Sequence, residues 1–115
     1  MDMQATLGQI LNKIANEMQV IFGDKLKEVI LFGSRARGDY EKDSDVDVMV
    51  LVDMDRYELI KYRNKVYEVS HKLDEEYNYE FLIPIILQDA ETFNKYKRAS
   101  EFFRNVASEG VAISA

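Results

Sequence analysis

Two apolar runs separated by a polar, glycine-led stretch constrain this chain more than anything else in it. The first, residues 26–32, contains Val29, Ile30, Leu31 and Phe32 and stops at Gly33; the second contains Val46, Val48, Met49, Val50, Leu51 and Val52. Both have the length and β-branched content of buried strands. Together they frame the polar and charged residues from Ser34 to Ser44 as a loop.

Helical patterns surround this pair. Leu7, Ile10, Leu11, Ile14, Met18 and Ile21 recur at spacings of three and four, which predicts an amphipathic helix over residues 3–21 that ends at Gly23-Asp24. Leu59, Tyr62, Val66, Val69 and Leu73 predict one long helix over residues 55–76, with Asp53 or Asp55 as its cap. Residues 81–87 form a third apolar run, and Pro84 within it favours an edge strand or a bulge over the sheet centre. Beyond Asp89 the chain returns to helix, in two pieces around residues 97–100, and residues 111–113 add a short last strand. The order predicts an α/β (α+β) fold, and 115 residues without a linker or repeat predict a single domain over residues 1–115.

Composition narrows the chemistry. A net charge of −6 disfavours extended nucleic-acid binding, which needs clustered Lys and Arg. With no cysteine there is no disulfide and no thiolate metal site, so a cofactor would be held by oxygen, and a reducing cytoplasm suits the chain. The N-terminus lacks a basic segment followed by an apolar core, and no run of about 18 apolar residues occurs, so neither secretion nor membrane insertion is expected.

Asp45 and Asp47 are two apart at the start of the second strand, so the pleat turns both carboxylates to one face while Val46 and Val48 enter the core. Such a pair is costly unless compensated, and Mg²⁺ completed by water and phosphate oxygens answers the need. An isolated Asp-x-Asp can equally do no more than solvate a strand end. Gly33-Ser34 after a strand lets backbone approach a phosphate, more so if Ser34 opens a helix, and the guanidinium groups of Arg35 and Arg37 suit phosphate oxygens. The same stretch also fits a glycine-flanked turn whose arginines neutralise nearby aspartates.

Taken whole, residues 33–48, GSRARGDYEKDSDVDV, resemble the signature of the minimal nucleotidyltransferases, the smallest members of the DNA polymerase beta superfamily. The resemblance covers residues 26–53. Residues 101–110, EFFRNVASEG, are similar to the tail of the antitoxin members of toxin–antitoxin pairs. It implies a nucleotidyltransferase fold with a small mixed sheet and packed helices, Ser34 on a triphosphate, and Asp45 and Asp47 on Mg²⁺. It further implies transfer of a nucleoside monophosphate, AMP from ATP, to a hydroxyl of a partner protein, a HEPN-domain toxin. A third acid on a later strand serves the family's mechanism, and Glu80, just before the third apolar run, is the candidate here; it fits an exposed strand start as well. The alternative function is a nucleotide-binding or contact-only antitoxin with little or no catalysis.

Other residues read as structural. His71 reads as a surface or capping residue, and Lys95, Lys97 and Arg98 as a solvated helix face. Asp74, Glu75, Glu76 and Asp89 read as charges facing solvent, and Phe102 and Phe103 as core.

Overall fold

The first two apolar runs pair as antiparallel strands in the computed structural model, which describes residues 3–113. Strand β1 (Leu26–Phe32) and strand β2 (Asp47–Val52) set Phe32 opposite Asp47 and Val29 opposite Val50. Strand β3 (Ile85–Asp89) runs parallel to β2, and strand β4 (Val111–Ile113) runs antiparallel to β1, so the sheet is mixed, in the order β3-β2-β1-β4. Pro84 acts as expected, because β3 is an edge strand. The strand itself starts only after the proline, at Ile85 and not at residue 81. Residues 82 and 84 still lie alongside the lead-in to β2, where Leu82 O and Pro84 O accept the N–H groups of Val46 and Val48 at 2.9 and 3.1 Å.

Helices cover both faces of the central strands, which is why β1 and β2 read as continuous apolar runs and not as alternating ones. On one face Val29, Leu31, Val48, Val50 and Val52 meet Ile10, Ile14, Met18 and Phe22 of helix α1 (Met3–Phe22). On the other, Ile30, Met49 and Leu51 meet Phe93 of a helix over Ala90–Tyr96 and Val106 of another over Glu101–Glu109. Each such aliphatic side chain contributes about 1.5–3 kcal/mol on full burial.

The predicted long helix over residues 55–76 is two helices, α3 (Arg56–Ile60) and α4 (Arg63–Glu76). At the break the N–H groups of Lys61 and Tyr62 bond back three residues, to Glu58 O and Leu59 O at 3.1 and 2.9 Å, which tightens the turn. The Tyr62 ring packs against Phe22 there, with centroids 5.2 Å apart. Asp55 is the cap, accepting the Glu58 N–H at 2.9 Å.

The C-terminal helix comes in two pieces as predicted, α5 (Ala90–Tyr96) and α6 (Glu101–Glu109), and a single helical turn, α2 (Ser34–Arg37), follows β1. Two acids expected to face solvent do structural work instead. Asp89 is buried and caps α5 through the Thr92 N–H at 2.9 Å, and Asp74 accepts the Ile83 N–H at 2.8 Å. Phe103 packs in the core, whereas Phe102 is 45% exposed, its ring meeting that of Phe32 edge to face at 5.7 Å and that of Phe103 at 5.9 Å. His71 lies exposed between Tyr67 and Tyr79, as expected of a surface residue. No helix of the described residues is long and apolar enough to cross a membrane.

Candidate active site

The site begins where β1 ends. Gly33 has φ 76° and ψ −159°, a region open essentially to glycine alone. A Cβ built there would overlap the Asp47 carboxylate, standing 3.3 Å from its Cγ. The missing side chain is therefore what lets the carboxylate of β2 lie against the end of β1. Immediately after Gly33 the chain turns into α2 (Ser34–Arg37), a single turn in which Ala36 and Arg37 both donate to Gly33 O at 3.1 Å. The N–H groups of Ser34 and Arg35 lead that turn, where no preceding helical carbonyl exists to receive them. Gly38 closes the turn with φ 89°.

Asp47 is the first residue of β2 and is half-buried, while Asp45 lies two residues earlier in the extended lead-in and is exposed. The strand thus starts at Asp47, later than the sequence pattern placed it. Val46 and Val48 are buried in the opposite core, as the alternation required. Burial first, and then the neighbouring Asp45 carboxylate, raise the Asp47 carboxyl above its ordinary pKa, and the Arg37 guanidinium opposes them. Two neighbouring carboxylates, offering oxygen donors alone, fit a hard divalent cation such as Mg²⁺.

The two arginines diverge. Arg37 remains at the surface, paired with Asp39 Oδ2 and Glu109 Oε2 at 3.3 Å each, and its charge reaches Asp47. Arg35, expected beside phosphate, turns inward and is 5% exposed. Its Nε and Nη2 donate to Ser44 O at 3.2 and 2.8 Å, and Nη2 also to Lys42 O at 3.2 Å. Those nitrogens hold the loop and are not free for a ligand.

Glu80, the candidate third acid, stands exposed in the turn after α4, its N–H bonded to Tyr77 O at 3.2 Å. The N–H groups of Val46 and Val48 bond to Leu82 O and Pro84 O, so it is the residues after Glu80 that run alongside the acidic pair. Among the described residues no three Asp, Glu, His or Cys side chains gather as a metal-holding group.

Sequence reasoning missed a cavity of about 630 Å³ that meets the site at Asp45 and is walled by Arg63, Tyr67 and Ser70 of α4 with Leu82 and Ile86 at the sheet edge. Its walls come from segments far apart in sequence, and no local pattern announces them.

Set beside known proteins, the chain matches the nucleotidyltransferase domain family over residues 11–107. A protein of Methanocaldococcus jannaschii, provisionally named a protein adenylyltransferase, is 33% identical over 100 residues, covering 87% of this chain and 90% of the relative. A solved structure of a provisionally assigned nucleotidyltransferase from Sulfolobus solfataricus superposes with TM-score 0.56 at 23% identity, over 95% of this chain and 80% of that one. A toxin–antitoxin structure solved with AMP-PNP superposes with TM-score 0.51, also at 23% identity, over 89% and 70%.

Proposed function

Because this chain belongs to the nucleotidyltransferase domain family, we propose that it transfers AMP from ATP to a hydroxyl of a partner protein, with Mg²⁺ held by Asp45 and Asp47. The observation that carries the reading is the approach of the Asp47 carboxylate to Gly33, where any side chain would block it. That contact sets the acidic pair against the loop that opens with Ser34, which supports reading carboxylates and phosphate donors as one site.

In this reading Gly33 and Ser34 offer backbone and hydroxyl donors to the triphosphate, and Arg37 adds positive charge at the rim. Mg²⁺, when bound, neutralises phosphate charge and stabilises an in-line displacement. The acceptor oxygen bonds to the α-phosphorus as the bond to pyrophosphate breaks, and pyrophosphate leaves. Glu80, exposed in the turn after α4, is given no part in this reading, and the hydroxyl proton goes to solvent or to a group of the acceptor. The relative's provisional name supports a protein acceptor. The toxin–antitoxin neighbour shares the fold and supports a toxin as its class, a HEPN-domain protein being our specific proposal.

The exposed position of Glu80 favours a second reading, an antitoxin that binds nucleotide or its partner with little catalysis. Titrating ATP with Mg²⁺ into the chain and into Asp45→Asn/Asp47→Asn tests the site common to both. Binding that needs Mg²⁺ and is lost in the double variant is expected. Equal binding by both proteins would sink the metal assignment.

A further inference from the structure

Arg35 carries a full charge into the interior and spends it on backbone. Its guanidinium carbon lies 4.6 Å from the Tyr40 ring centroid and 5.5 Å from that of Phe81, between a loop ring and the residue leading towards β3. Two of its nitrogens hold Ser44 O, and Nη1 is buried with no hydrogen-bond partner, leaving the rings as its compensation. Ser44 is tied in turn to Glu41: its N–H donates to Glu41 O at 3.1 Å, and its Oγ accepts the Glu41 N–H at 2.8 Å. The next residue is Asp45, and after it Val46 donates to Leu82 O at 2.9 Å. Asp45 is therefore pinned on one side by a guanidinium and on the other by the lead-in to β3.

We propose that Arg35 is a positioning residue, a latch that fixes the backbone before Asp45 so that its carboxylate stands beside that of Asp47 and the two share one divalent cation. It acts through Ser44 and touches neither cation nor nucleotide. The proposal rests on the reading that Asp45 and Asp47 hold a cation. Arginine suits the task because its planar fork can meet carbonyl oxygens with two nitrogens while its faces stack on rings; a lysine ammonium offers neither.

The test is the affinity of the full chain for Mn²⁺ alone, read by the paramagnetic resonance of the free ion. Groups that orient metal ligands commonly govern affinity by about 10- to 100-fold. Arg35→Lys, which keeps the charge, is expected to weaken Mn²⁺ by that factor with the circular dichroism of the wild type. Arg35→Ala is expected to lose as much and to regain it with ethylguanidinium but not with ethylammonium, a rescue that general destabilisation would not produce. If the alanine variant does not fold, the lysine variant decides alone. Wild-type affinity in a folded Arg35 variant, with Asp45→Asn/Asp47→Asn weak, overturns the latch and leaves the metal site standing. Equal affinity in wild type and the double asparagine variant overturns the metal site, and the latch with it.

Discussion

Gly33 is the position where the least substitution should do the most damage. Its backbone conformation and the Asp47 carboxylate both exclude a Cβ, so Gly33→Ala is expected to cost about 1–3 kcal/mol from the backbone strain alone, and to weaken nucleotide binding; chemical denaturation and ATP titration check both. Asp47 has the opposite sign. Its folded pKa is raised, so its favourable contribution to stability is present below the unfolded carboxyl pKa and is lost as pH rises through the folded value. At neutral pH without metal, Asp45→Asn/Asp47→Asn should therefore melt at or above the wild-type temperature. Mg²⁺ affinity should fall on acidification through the raised Asp47 pKa, as protons compete for the ligand. A double variant that melts well below wild type would mean that the carboxylates stabilise the fold. Gly33 and the acidic pair were legible because strand alternation and glycine conformation are local rules. Arg35 was not, since a guanidinium in a glycine-led loop can serve a phosphate or a carbonyl, and only the carbonyls of Lys42 and Ser44 and the distant Phe81 decide which.

At the scale of elements, the strands followed from their apolar runs, and Pro84 foretold the edge position of β3. The break between α3 and α4 was hidden because Leu59, Tyr62 and Val66 keep their helical spacing across it. The bond from the Ile83 N–H to Asp74 and the cap at Asp89 were hidden because a charged side chain gives no local sign of the N–H it will meet. Asp74→Ala leaves the Ile83 N–H without its partner and is expected to cost about 1–3 kcal/mol, readable by chemical denaturation. Glu80→Gln alters an exposed turn, so turnover and ATP affinity should stay within about twofold of wild type. A general base would instead lose on the order of 10²- to 10⁴-fold, and a loss of that size would put Glu80 back into the mechanism.

The whole molecule sets one sheet between two helical layers and brings the end of β1, the start of β2 and the sheet edge to a common border. The loop that opens with Gly33-Ser34 and the acidic pair lie at that border, next to a cavity that meets them at Asp45. In the proposed reaction the acceptor enters there. Whether such an acceptor receives a nucleotide is tested most directly by incubating the chain with ATP, Mg²⁺ and its candidate partner toxin and measuring the intact masses of both proteins. The account predicts that the partner gains one or more adenylyl groups, and that the gain vanishes with Asp45→Asn/Asp47→Asn. An unchanged partner mass, under conditions where the chain binds ATP and the partner, would contradict transfer and leave an antitoxin that acts by contact.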